Sequence, residues 1–404
     1  MRPHPLFGPA ASAGLGRDGG PCHVLFVGGE DNHLRIPFIL AMRDRGFRVS
    51  AAGSGNSAPF KMAGIPFRLW HFDRFVTPLS DRRAVTRLAG LLHEIGPDIA
   101  QGYDTKPCIY LPMAARRAGD HIRTIRTICG EGWVYSSRSP VALALRPVYR
   151  ALHRRAAQGT AATVFEIHDD ERFFRRHAMA GANGIVIPAG GGGIDVEGFE
   201  AALASAPDRQ TMRQSLGLDE DAEVIITVTR MTRQKGIPAL LEAAALVHQD
   251  RPSARFLLVG PRESEGPLAV TAAEIARHAP YVQAIGPRTD VPALLRMADL
   301  FAFPTEYREG VSRVLLEATL AGLPVVSTAM PGCREVITDG QNGLLTTPGQ
   351  PKALAQGILR LLRNRDEARM MQARAEETVR ASFSLNAIAD RHAALYRTLI
   401  DERT

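Results

Sequence analysis

The sequence predicts an α/β protein of two doubly wound, Rossmann-like domains that face each other across a cleft. Its length, a strand-helix alternation and the repetition of that alternation carry the prediction. At 404 residues the chain exceeds one ordinary hydrophobic core and suits two domains of roughly 200 residues each. Short apolar runs alternate with stretches of helical period, and the series restarts after residue 220. Such alternation implies right-handed crossovers and mostly parallel sheets, with binding loops beyond the carboxyl ends of the strands.

Residues 1–20 are rich in Gly, Pro and Ala without periodicity and read as a mobile tail. Structure begins near His23. The strands HVLFVGG, RVSAAG, DIAQGY, IRTIRTIC and ATVFEI follow in turn, each succeeded by a helical stretch, and build an N-terminal domain over 21–187. A glycine run, Gly190 to Gly193, follows the strand in IVIP and places the hinge near residue 188. The strands EVIITVTR, RFLLVG, YVQAIG, DLFAFPT, PVVSTA and GLLTTP then build a second domain over 188–384. After Pro351 the sequence is wholly helical, and a final helix within 385–404, with no strand after it, is expected to pack back toward the N-terminal domain.

Hydrophobic residues make up 45% and charged residues 23%, an ordinary globular composition that leaves little room for disorder. Lys plus Arg number 49 against 42 Asp plus Glu, a net +7 that fits an anionic partner such as a phosphate, nucleic acid or acidic lipid, and equally an Arg-rich surface without one. No aromatic-basic platform or reading helix points to nucleic acid. Cys22, Cys108, Cys129 and Cys333 are scattered, with no CxxC pair and no His cluster at metal spacing, so neither a disulfide framework nor a metal site is expected. A cytoplasmic setting fits. Neither a signal peptide nor about 18 uninterrupted apolar residues is found, so any membrane contact is expected to be peripheral, at the inner face of the cytoplasmic membrane.

Two constellations carry chemistry. In FPTEYREGVSRVLLEATLAGLPVV, Glu309 and Glu317 lie eight positions apart around the start of a helix. If that helix begins near Ser312, its first N–H groups form an anion site, with Gly310, Val311 and Ser312 lining the approach of a diphosphate. The two carboxylates then bracket the ligand, one accepting hydroxyl hydrogen bonds from a sugar and the other from a ribose. By spacing alone, a helix N-terminal charge and a solvated helix face explain the pair at least as well. In VIITVTRMTRQKGIPALLEAA, Arg230, Arg233 and Lys235 crowd a loop between strand and helix, where cations either meet phosphate or are simply solvated.

Taken together, TRMTRQKG, IGPRTDVPALLRMADLFAFPT, the Glu309 and Glu317 pair, GLPVVSTAMPGCREVI and DGQNGLL resemble the donor-binding half of retaining family 4 glycosyltransferases, the group 1 glycosyl transferases of GT-B fold. The resemblance implies a nucleotide-sugar donor, a UDP-sugar first among them. It implies that Arg230 and Lys235 contact the donor diphosphate, Glu309 the transferred sugar and Glu317 the ribose. It further implies retention of configuration without metal or cofactor, the leaving phosphate helping to deprotonate the acceptor hydroxyl while Glu309 orients and stabilises the sugar.

In the N-terminal half, YDTKPCIYLPMAARRAG, TICGEGWVY, RPVYRALHRRAA and VFEIHDDERFF resemble bacterial enzymes that extend polyprenyl-diphosphate-linked sugars. A glycan or lipid-linked acceptor, in bacterial polysaccharide or glycan synthesis, is what this branch implies. Three positions depart from it. Gly130, Glu131, Gly132 and Trp133 replace a Gly-Leu-Gly-aromatic turn, Ile167 stands where an Asn is usual, and Cys129 stands where many family members carry a His, so no His contact to the donor sugar is assigned.

Gly28 and Gly29 end the first strand in a turn that suits close approach of donor or acceptor, or a plain tight turn, and they lack a full GxGxxG. His33 and Lys106 read as incidental loop residues. The segment SRSPVALALRPVYRALHRRAAQ carries Arg138, Arg146, Arg150, Arg154 and Arg155 with no acidic residue, and reads as a basic amphipathic helix for an anionic membrane or as a cationic outer face. Against a glycosyltransferase stand a nucleotide-sugar epimerase, a non-catalytic sugar-nucleotide binding protein and a dehydrogenase; the last lacks its glycine fingerprint.

Overall fold

A computed structural model describes residues 14–402 apart from 74–76, 120, 138 and 190–191. Two units divide the chain: one runs through Gly193 and takes in the chain again from Leu385, the other spans Ile194–Ser384. Pro188, Ala189, Gly192 and Gly193, within the range expected for the second domain, thus lie with the first unit. Gly190, Gly191 and Arg138 fall outside the described residues, as does 1–13 of the expected tail.

The first unit is built on β1 (His23–Gly28), β2 (Arg48–Gly53), β3 (Phe67–Leu69), β4 (Ile99–Tyr103), β5 (Arg123–Ile128), β6 (Ala162–Phe165) and β7 (Gly184–Val186). They form one parallel sheet in the order β3-β2-β1-β4-β5-β6-β7, with β1 matched to β2 from His23 opposite Arg48 to Gly28 opposite Gly53. Every residue of β1 is buried. That is why it reads as an unbroken apolar run: crossover helices cover both faces of a parallel sheet. One face packs Phe26, Phe38 and Met42 against Ile388, Tyr396 and Leu399 of the final helix Leu385–Asp401; the other packs Leu25 and Val27 against Leu88, Leu92 and Leu111. The final helix is held at its surface by Arg45, whose guanidinium donates to Asp390 at 2.8 Å.

Residues 14–22, most of them read as mobile tail, form a tight turn. Leu15 bridges Pro21, the Gly16 N–H donates to the Gly20 carbonyl at 2.7 Å, and the Arg17 N–H donates to Asp98 at 2.9 Å. The strand β3 was not foreseen either, since three half-buried or exposed residues carry no apolar period.

The second unit has β8 (Glu223–Val228), β9 (Ala254–Val259), β10 (Val282–Ala284), β11 (Leu300–Phe303), β12 (Val325–Thr328) and β13 (Leu344–Thr346), all parallel, in the order β10-β9-β8-β11-β12-β13. Its core gathers Ile225, Phe256 and Leu258 from the sheet with Leu240, Ile358 and Leu361 from helices. In both units the strand order runs outward in two directions from the first strand, which opens a crevice between the loops leaving the first and fourth strands.

Candidate active site

In the second unit that crevice lies between β8 and β11, which are neighbours in the sheet. The loop leaving β8 runs through Arg230 and Thr232 into a single turn, Arg233–Lys235, and then into the helix Ile237–Asp250. Thr232 caps the turn by accepting from the Lys235 N–H at 3.3 Å. Gly236 joins turn to helix with φ +70°, and a Cβ there would stand 1.9 Å from the Pro304 carbonyl oxygen at the end of β11. Only glycine permits both the left-handed backbone and that approach. The Glu306 N–H, donating to the Gln234 carbonyl at 2.9 Å, closes the second tie between the two loops.

These ties set Lys235 against Glu309. Lys235 is 6% exposed and its ammonium donates to both carboxylate oxygens of Glu309 at 2.7 Å, while the Thr305 hydroxyl reaches Oε1 at 3.4 Å. The rings of Phe303 and Tyr307 lie 5.9 and 5.7 Å from the same ammonium. The Glu309 side chain keeps 26% exposure, so the pair is open to a ligand from one side. Arg230 is exposed on the same loop. Arg233 is not part of this group: it pairs at 2.6 Å with Glu274, which closes a capping box with Thr271.

Past Glu309 the chain runs through Gly310 and Val311 to Ser312, the residue before the helix Arg313–Leu320. Ser312 is extended and its side chain makes no cap; its carbonyl takes the Leu315 and Leu316 N–H groups at 3.1 and 3.4 Å, so the Arg313 and Val314 N–H groups at the helix start face an outside acceptor. A neighbouring glycine fixes where this loop lies, since a Cβ at Gly332 would come within 2.0 Å of the Gly310 carbonyl oxygen. Glu317 is on this helix with 17% side-chain exposure, accepting from Arg313 Nε at 3.0 Å. Burial raises its carboxyl pKa, and Arg313 opposes the shift. Beside the group, burial pushes the Cys333 thiol up to about 11, which makes it a packing residue.

Arg230, Lys235, Glu309, Gly310, Val311, Ser312 and Glu317 therefore fall in one unit at the carboxyl ends of two adjacent strands. Sequence reasoning missed that Lys235 and Glu309 pair with each other. It also passed over Gly236, Gly332, Thr305 and Tyr307; a glycine directly after Lys235 was the available signal.

Gly28 and Gly29 belong to the other unit, after β1, and close approach there comes from the chain itself. A Cβ on Gly28 would lie 2.6 Å from the Asn32 side chain, and the Gly29 N–H donates to Asp104 at 3.0 Å. Asp104 has φ +66°, the left-handed region for a residue with a side chain, and it pairs at 3.5 Å with Arg35, whose guanidinium stacks 4.3 Å from the Tyr103 ring. A cavity of about 160 Å³ opens next to it, lined by Asp104, Thr105, Thr127, Cys129, Gly132 and His153. Lys106 is engaged by Asp81 at 2.6 Å, and His33 is half-buried with its ring against the Glu30 carbonyl. None of the four cysteines forms a disulfide. Among the described residues no helix is long and apolar enough to cross a membrane.

Residues 208–378 match the family described as glycosyl transferases group 1. Over 371 residues the chain is 24% identical to the N,N'-diacetylbacillosaminyl-diphospho-undecaprenol alpha-1,3-N-acetylgalactosaminyltransferase of Campylobacter jejuni, covering 91% of this chain and 96% of that one. Over 390 residues it is 25% identical to the putative glycosyltransferase EpsD of Bacillus subtilis, covering 94% and 98%. Among solved structures, Anabaena HepE in complex with UDP is similar with a TM-score of 0.74 at 21% identity, over 93% of this chain and 100% of that one. A glycosyltransferase from Rickettsia africae gives a TM-score of 0.77 at 18% identity, over 94% and 98%.

Proposed function

We propose that this chain, a glycosyltransferase of GT-B fold whose residues 208–378 are its group 1 domain, moves a sugar from a nucleotide-sugar, a UDP-sugar first, to a hydroxyl of a lipid-linked glycan. The observation that carries the reading is the Lys235–Glu309 pair, held at 2.7 Å beside the uncapped start of the helix Arg313–Leu320. A diphosphate at that helix start meets N–H donors and the positive end of the helix dipole. Lys235 and Arg230 then meet the negative charge that grows on the departing nucleoside diphosphate, Glu309 receives hydroxyls of the sugar, and Glu317 receives the ribose.

In this reading the bond between the anomeric carbon and the diphosphate breaks, and the acceptor oxygen bonds to that carbon from the same face. The acceptor proton passes to the leaving phosphate, so configuration is retained and neither a separate base nor a metal takes part. The donor follows the HepE complex with UDP. The lipid-linked acceptor, at the inner face of a bacterial membrane in glycan synthesis, follows the Campylobacter relative named for an undecaprenol-linked substrate.

A panel of UDP-, GDP- and dTDP-sugars, with and without undecaprenyl-diphosphate-linked acceptors, tests the reading through nucleoside diphosphate release. The expected result is release that needs one donor and one lipid-linked acceptor together and survives EDTA. Turnover of the donor with no acceptor moves the assignment to an epimerase, and no turnover with any pair overturns the transferase reading.

A further inference from the structure

Exposed large hydrophobic side chains are unevenly shared between the units. Met62, Leu69, Leu79, Trp133, Val141, Leu143 and Val148 are among those of the first unit, whereas the second contributes Leu268 and Met370. Within the first unit they concentrate on one feature. The helix Pro140–Ala157 buries Ala142, Tyr149, His153 and Ala156 and turns its other side outward. Val141, Ala144, Val148, Ala151 and Arg155 follow one another there at spacings of three and four, so they form one row along the helix. A second row, Leu143, Pro147, Arg150 and Arg154, runs beside it.

Val141 and Val148, 62% and 51% exposed, meet solvent on the first row, and Leu143, 47% exposed, meets it on the second. Both rows end in arginines, and the helix contains no acidic residue. Arg146 pins the short helix Trp133–Ser136 alongside, donating to the Val134 carbonyl at 3.3 Å and stacking 4.9 Å from the Tyr135 ring. That short helix presents Trp133, 58% exposed. Among the described residues the arginines that end the two rows pair with no carboxylate, although Arg154 Nε donates to the His177 carbonyl at 2.9 Å. An aromatic side chain, an apolar row and cations are the three groups that an anionic bilayer surface receives together: acyl boundary for the aliphatics, interface for the indole, headgroup phosphate for the guanidiniums.

We infer that the outward face of the helix Pro140–Ala157, with Trp133 beside it, is a docking surface for an anionic lipid bilayer. The choice of a bilayer over a protein partner rests in part on the lipid-linked acceptor proposed above. The charge complementarity does not depend on that acceptor, and the binding test requires no sugar, donor or acceptor.

The tryptophans make the test specific, since the chain has two and the other, Trp70, is 1% exposed. The full chain is mixed with vesicles of zwitterionic lipid carrying or lacking about a third phosphatidylglycerol, and partition is measured by sedimentation alongside tryptophan emission. Expected are binding to the anionic vesicles, a blue shift of emission and quenching by bromolipid, all absent from W133F in emission and reduced by salt. V148E lowers partition because a charge enters the acyl boundary. R150Q with R155Q lowers it about tenfold or more, at roughly fivefold per cation. Both sites are on the surface, so circular dichroism should be unchanged. The inference is overturned if wild type leaves emission unchanged on anionic vesicles, or if V148E partitions as wild type does. A lipid-free dimer that V148E splits assigns the face to a second copy of the chain and likewise overturns it. Vesicle binding with no transferase activity, or the reverse, separates this inference from the function proposed above.

Discussion

Lys235 and Glu309 hold one another through two hydrogen bonds of 2.7 Å, although 74 residues separate them in sequence. Each neutralises the other's charge. In the function proposed above, a donor whose phosphates met the ammonium and whose sugar hydroxyls met the carboxylate would give each charge a new partner, so binding would leave neither alone.

Removing one partner breaks that symmetry. Lys235→Ala leaves the Glu309 carboxylate without its cation and is expected to lower kcat/KM at least about a hundredfold. Stability should fall by about 1–3 kcal/mol, as for a partly buried group losing its hydrogen-bond partner. Steady-state kinetics and urea unfolding check both figures, and K235R, which keeps charge but not the compact ammonium, should restore stability more than activity.

Glu317 should separate function from stability. Burial raises its carboxyl pKa, so the fold favours the protonated form: the associated stability is full below the ordinary glutamate range and is lost as pH rises through the raised value. E317Q removes that penalty and should be no less stable than wild type at neutral pH. The same change should raise the donor KM about tenfold, with a smaller effect on kcat, and should blunt the acid limb of the kcat/KM profile.

Gly236→Ala should be severe for a small change. Its Cβ would have to share space with the Pro304 carbonyl oxygen at 1.9 Å, in a left-handed backbone that favours glycine. The loops must separate, so a loss of roughly 2–4 kcal/mol is expected on denaturation, with activity falling alongside. Gly217→Ala, at φ +67° with open space around it, should lose only the backbone part, about 1 kcal/mol.

Acid should loosen the final helix. His392 is fully buried between Phe38 and Tyr396, and burial lowers its pKa from 6.5 to about 4. The unfolded chain therefore binds this proton first: the stability from a neutral ring is present above pH 6.5 and is lost as pH falls toward 4. The loss should approach about 3 kcal/mol for this ring. In H392F the slope of unfolding free energy between those pH values should shrink by that amount; an unchanged slope would assign it to the other buried rings, His23, lowered likewise to about 4, and His153, lowered further by burial.

Apolar runs made the parallel sheets legible, since β1, β8 and β11 are buried on both faces and read as strands without ambiguity. The loops after β8 and β11 were legible because they carry charge just past such runs. What stayed hidden is pairwise. Nothing in the spacing says that Lys235 faces Glu309, or that Arg233, two positions earlier, turns to Glu274 instead. Arg126 was equally opaque: it sits in a strand of apolar period, yet it is fully buried, its guanidinium donating to the Met179 carbonyl and the Thr163 hydroxyl at 2.7 and 2.9 Å. Only tertiary structure supplies those acceptors.

The return of the chain at Leu385 has a bearing on how the molecule is made. Because Ile194–Ser384 is inserted within the first unit, that unit's sheet and the helix Ile36–Asp44 emerge from the ribosome about half a chain ahead of the helix that packs on Phe26, Phe38 and Met42. The inserted unit is contiguous and can close its own core first, while the earlier-born sheet waits with apolar surface uncovered. A chain without the helix Leu385–Asp401 is therefore marked by an open core around Phe26, Phe38 and Met42.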